Sequence, residues 1–207
     1  MRVQDVVQWT AGAAVVLTLM ACGGGGNGTE APPENTYSGC LTPSSCGSVV
    51  IAVTDADTEF LSYAVDVRSL TLKQSNGDTA KMLPVTTRID LAQAADLAQS
   101  LTFVTVPNGA YTEGTLELDY TNAEVTVESN GQQMAARVVG ADGSPVGVVH
   151  VPVALNDSRQ LTIVPGSSAL LAVDFDLAAA NSVDLSAMTP IVTVTPSLIA
   201  SMQAIDE

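Results

Sequence analysis

Acidic side chains at alternate positions are the arrangement in this chain best placed to do chemistry. Asp55, Asp57 and Glu59 alternate just past an apolar run, and Asp174 and Asp176 alternate within a later one. A strand sends every second side chain to the same side, so each set would point one way. If both sets reach one rim of a sheet, they offer the hard oxygen ligands of calcium, which takes about six to eight. The helix-loop-helix calcium motif is excluded: counted from Asp55, its glycine position holds Phe60 and its closing glutamate position holds Asp66. The competing reading is that these acids cap turns and stay in water. Asp142, Ser144 and His150 have the residue types of a hydrolytic triad. Ser144, however, is not in a Gly-x-Ser-x-Gly elbow but in a loop beside an Asp-Gly turn, and His150 lies between two valines as an ordinary strand residue. No catalytic residue is assigned, and a hydrolase is the most distant reading.

Cysteine chemistry starts from the amino terminus. Residues 1–21 have the parts of a secretory signal: a start carrying Arg2, an apolar run from Ala11 to Met20, and small residues before a cut. The run is shorter than the roughly 20 residues that span a bilayer. Leu19-Met20-Ala21-Cys22 resembles the lipobox of bacterial lipoproteins. The resemblance implies that Cys22 becomes a thioether to diacylglycerol and that its new amine is acylated, palmitate being the usual chain. Several acyl chains anchor firmly where one would be marginal. Gly23 stands where lipoproteins kept in the inner membrane often carry Asp, so the same resemblance implies the outer membrane of a bacterial envelope, facing either the periplasm or the medium. With Cys22 consumed, Cys40 and Cys46 remain as an even pair in an oxidising compartment, where a disulfide closing a small loop is worth about 2 kcal/mol. A cysteine metal site would want histidine nearby, and His150, the one histidine, is far along the chain.

The elements that must position these groups follow from pattern. Residues 22–47 are rich in Gly, Pro, Asn and Thr and read as a tether ending in the disulfide loop. Gly23 to Gly26 are not a phosphate loop, since no Gly-Lys-Ser/Thr follows. Residues 48–207 show β-branched runs broken by turn residues, the pattern of a sandwich or barrel. Val49 to Thr54 reads as a central strand. Tyr63, Val65 and Val67 alternate in one phase and Leu70 and Leu72 in the other, which predicts a bulge near Arg68–Ser69. Asn76-Gly77 and Asn130-Gly131 predict hairpins. Asp90 to Ala98 has helical spacing with Asp90 as cap, a short helix crossing between sheets. Pro107-Asn108-Gly109 turns the chain into a half-exposed strand through Thr121, and further strands are expected at Val146–Val153, Gln160–Val164, Leu170–Phe175 and Ile191–Val194.

The formal charge of −15 is unchanged by cleavage, which removes Arg2 and Asp5 together. Such a surface repels nucleic acid and anionic headgroups, and it suits solubility or attraction to cations and basic partners. Aromatic residues are 4% of the chain and Trp9 falls in the signal, so the tryptophan platforms of many sugar-binding sandwiches are missing, although Tyr37, Tyr63, Tyr111 and Tyr120 remain.

Five short stretches, Val53-Thr54-Asp55-Ala56, Val65-Asp66-Val67, Ile89-Asp90-Leu91, Pro107 to Thr112 and Val173 to Leu177, occur in an order that resembles a family of bacterial lipoproteins known as domain of unknown function 4382. The likeness spans roughly residues 48–196. It implies an antiparallel β-sandwich of the transthyretin or prealbumin type and no reaction. The expectation is an all-β, lipid-anchored envelope protein without enzymatic activity, serving binding, adhesion or assembly with an envelope protein or polysaccharide. A calcium-stabilised ligand-binding module is the alternative.

Overall fold

Valine, isoleucine, threonine and leucine dominate the ordered segments, and the backbone answers with strands. The structure is a computed structural model that describes residues 40, 42–55, 60–94, 99–155, 161–195 and 200–206. The signal, Cys22, the tether to residue 39, Asp57, Glu59 and residues 95–98 lie outside the described residues. The strands are β1 (Cys46–Asp55), β2 (Phe60–Gln74), β3 (Thr79–Lys81), β4 (Thr87–Asp90), β5 (Gln99–Pro107), β6 (Gly109–Ser129), β7 (Gln132–Val139), β8 (Val148–Ala154), β9 (Leu161–Ile163), β10 (Ser168–Phe175), β11 (Asn181–Asp184), β12 (Ile191–Val194) and β13 (Ala200–Asp206). A single helical turn, α1 (Leu177–Ala180), joins β10 to β11.

Two sheets result: a four-stranded one in the order β13-β10-β1-β5, and a nine-stranded one built on β2 and β6. The expected central strand is indeed central, with β1 flanked by β10 and β5. The sandwich is not wholly antiparallel, however, because β1 runs parallel to β10, and β12 runs parallel to β7. Local alternation says which face a strand buries but carries no information about a partner over a hundred residues away, so the direction of pairing was not readable.

In the larger sheet β2 and β6 pair along almost their whole lengths and form a spine. Short strands abut its two edges: β3 and β4 on β2, and β9, β8 and β7 in succession on β6. The register between the spine strands slips between Val67 and Ser69, where the change of phase predicts a bulge, and Tyr63, Val65, Val67, Leu70 and Leu72 are all buried as a result. A larger jump, from Asp66 opposite Asp119 to Ala64 opposite Glu124, gives β6 a break at Tyr120 to Ala123. Asn130 and Gly131 both have positive φ, 54° and 74°, as the two-residue turn between β6 and β7 requires. The Asn76-Gly77 turn is longer, with only Gly77 at positive φ, and the strand after it is short, Thr79–Lys81.

The tightest of the crossings between the two sheets is at Asn108, the single residue between β5 and β6. Tyr111 turns back and donates its hydroxyl to the Pro107 carbonyl at 2.8 Å, four residues upstream, which is the geometry of a tyrosine corner. The Asn108 amide donates to the Ser45 carbonyl at 2.9 Å, tying this corner to the loop closed by the Cys40–Cys46 disulfide, whose Cα atoms are 5.6 Å apart. That loop therefore belongs to the folded unit, and β1 begins at Cys46, two residues before the expected boundary at 48. The expected helix at 90–98 is, over its described part, one tight turn at Leu91–Ala94.

Candidate functional site

The parallel pairing of β1 with β10 decides where the acidic residues lie. Thr54 stands opposite Asp174 and Asp55 opposite Phe175, so the backbone brings the ends of both acid-bearing segments to one rim, as the calcium reading requires. Asp57 and Glu59 lie outside the described residues, and of Asp55 only the backbone is described. The two remaining carboxylates have local duties. Asp174 accepts the Thr54 hydroxyl at 3.0 Å, clamping the parallel pair, and Asp176 caps α1 by accepting the Ala179 amide at 2.8 Å. Among the described residues no three His, Cys, Asp or Glu side chains gather as a metal-holding group.

Among the described residues Asp90 is the most heavily used acid. One oxygen accepts the amides of Tyr63 at 2.8 Å and Ala92 at 3.2 Å, and the other accepts the Ser62 hydroxyl at 2.8 Å and the Gln93 amide at 3.1 Å. It thus caps the turn after β4 and at the same time pins that turn to β2, a role the sequence signals only as a cap.

Asp142, Ser144 and His150 are not brought together as a triad. The Ser144 hydroxyl donates to Asp142 at 2.6 Å, within a turn, and this holds the exposed Asp142 carboxyl below its usual range. Ser186 does the same for Asp184. His150 is exposed on β8, opposite Glu117 of β6. Glu117 in turn accepts the Ser69 hydroxyl at 3.1 Å and faces Arg68 at 3.5 Å. Arg68 also lies 3.8 Å from Asp119, whose pKa is lowered first by the Thr121 side chain and amide and only then by Arg68. Arg88 bridges Asp66 and Glu124, and Lys73 meets Glu113. The outer face of the larger sheet is a lattice of solvated ion pairs, each worth little on its own.

The tyrosines kept in view for sugar stacking are core residues. Tyr63 and Tyr111 are fully buried and Tyr120 is 4% exposed, while Tyr37 lies outside the described residues. Phe60, Tyr63 and Tyr120 stack edge to face, with centroids 5.1 and 6.4 Å apart. Tyr63 donates its hydroxyl to Asn181 at 2.9 Å. Burial, followed by the charge of Tyr120, drives its pKa well above the usual phenol value. Burial likewise pushes Tyr120 up to about 12. The Tyr120 hydroxyl is near enough to Tyr63 for each to influence the other's ionisation, but it is buried without a hydrogen bond of ordinary geometry. Among the described residues the exposed aromatic side chain is Phe103 on β5, which no motif had marked.

These features define an all-β sandwich of two sheets, closed at one end by a disulfide loop on a tyrosine corner and carrying acidic segments at the other. The chain belongs to the family described as Domain of unknown function (DUF4382), whose model matches residues 46–185, from the first residue of β1 to just past β11. The solved structure of MbnP from Methylosinus trichosporium is similar over 62% of this chain and 75% of its own, at 10% identity and a TM-score of 0.24. No curated protein matches the chain.

Proposed function

We propose that this chain is a lipid-anchored protein of the bacterial outer membrane whose acidic sandwich is a non-enzymatic module for binding, adhesion or assembly. The observation that carries the anchor is the Cys40–Cys46 disulfide: it uses two of the three cysteines and leaves Cys22, in its lipobox-like setting, as the thiol available for lipid. A non-enzymatic reading is supported by the local duties of Asp90, Asp142, Ser144, Asp174 and Asp176, each engaged in a turn, a cap or a strand clamp. Strand β1 begins at Cys46, next to Pro107, while Asp55 and Phe175 end their strands at the opposite rim, so the acidic segments lie at the far end of β1 from the side on which the tether joins.

Expression in a Gram-negative host with radiolabelled palmitate tests the anchor. Label on the chain and in the outer-membrane fraction, both lost in Cys22→Ala, is the expected result. An unlabelled chain, or membrane partitioning unchanged by Cys22→Ala, overturns it. The register of β1 with β10 favours calcium stabilisation as a second reading. It requires the melting temperature to rise with millimolar calcium and the rise to disappear in Asp55→Asn/Asp57→Asn; no shift in the parent protein removes it.

A further inference from the structure

We propose that the outer face of the four-stranded sheet is a self-association surface, on which a second copy of this chain packs. The register aligns Phe103 of β5, Val50 of β1 and Leu170 of β10 in one row across that face. Phe103 is 58% exposed, and Val50 and Leu170 are half-buried. A contiguous apolar row on the solvent side of a sheet, in a chain of formal charge −15, is the kind of surface that marks an interaction site.

Charge selects the partner. β5 has no charged residue, and on β1, β10 and β13 the charged residues are Asp55, Asp174 and Asp206, all at or next to strand ends and none in the middle of the sheet. The outer face of the larger sheet, by contrast, is covered with Arg68, Lys73, Glu117 and Asp119. Two copies of so acidic a chain repel each other, and the uncharged face is where they meet at least Coulomb cost. A basic partner would be drawn to the acidic surfaces instead. The size also fits. Four strands about 4.8 Å apart and about eight residues long, at about 3.3 Å each, make a face of roughly 500 Å². Two such faces bury about 1,000 Å² in total, the lower bound for a specific interface and the size of a weak, concentration-dependent dimer. Among the described residues β5 has no strand on its outer side, so its edge is open beside Phe103. This inference stands whether or not Cys22 carries lipid.

The test is sedimentation equilibrium on the full chain with Cys22→Ser, which keeps acyl chains out of the measurement. A concentration-dependent dimer that tightens as salt is added, because screening weakens the repulsion between copies, is the expected result. Phe103→Asp should be monomeric with an unchanged circular dichroism spectrum. If Phe103→Asp fails to fold, Phe103→Thr removes the ring while keeping a strand-forming residue and should weaken the dimer at least tenfold. A parent chain that is monomeric at about 100 µM, well above the Kd range of specific dimers, overturns the proposal. So does a dimer that survives the substitution at Phe103, or a monomer that binds neutral phosphatidylcholine vesicles through this face.

Discussion

Gly47 sits where no side chain fits. A Cβ there would lie 2.6 Å from Ile163 and 2.7 Å from the Val164 carbonyl, which belongs to the backbone and cannot swing aside. Gly47→Ala is therefore expected to cost about 1–3 kcal/mol in urea denaturation, the cost of overpacking, although it adds only one methyl group. The tyrosine pair makes a sharper contrast. Tyr63→Phe strands the Asn181 oxygen and should lose about 1 kcal/mol, whereas Tyr120→Phe removes a buried hydroxyl that has no partner and should be neutral or stabilising. Both phenols ionise less readily in the fold than the ordinary value of 10.0, so their contribution is complete below pH 10 and disappears as pH climbs toward about 12 for Tyr120. An alkaline unfolding transition in that window, measured by the tyrosinate absorbance, should move upward in the double phenylalanine variant. None of this was legible in the residues alone, because Tyr63 and Tyr120 are brought together by the break in β6, and alternation within a strand cannot report a break in its pairing.

Asp90 shows how an element can be read correctly and understood only in part. The sequence marks it as a helix cap, and it does cap the turn at Leu91–Ala94, but its other bonds run to Ser62 and Tyr63 on β2. Asp90→Ala should cost about 2 kcal/mol by thermal denaturation, more than a cap alone, while Gln93→Ala, at the exposed end of the network, should cost under about 0.5 kcal/mol. Elements with a local signature were legible: the Asn130-Gly131 hairpin, the bulge before Ser69, and β12, whose bounds coincide with Ile191–Val194. Those lacking one were missed. β5 and β13 have neither clean alternation nor flanking turn signals at both ends, and α1 is a single turn set by the Asp176 cap. Four of the five stretches that resemble the family have structural duties: Thr54 with Asp174 clamps two strands, Asp90 locks a turn, and Pro107 to Tyr111 makes the corner.

For the whole molecule the governing quantity is charge. Seven Lys and Arg face 22 Asp and Glu, and Arg68, Arg88 and Lys73 are already paired, so the remaining acids repel across the surface. The melting temperature should rise by several degrees between low and physiological salt and then level off, since screening beyond a Debye length of about 8 Å has little left to remove. A melting temperature that falls with salt would mean that the ion-pair lattice, and not self-repulsion, dominates.

The parallel seam between β1 and β10 also dictates when this protein can fold. Thr54 and Asp174 are 120 residues apart, and β10 is flanked on its other side by β13, which ends at Asp206. The first strand of the domain cannot take its place in the middle of the smaller sheet until β10, well over a hundred residues later, is available. Contacts of such separation make folding slow, because the loop must be closed before the pairing rewards it. A chain emerging from its amino terminus would thus keep this sheet open until β10 and β13 arrive. If the chain is exported as proposed above, a late-closing seam would keep it unfolded and therefore transportable until it has crossed.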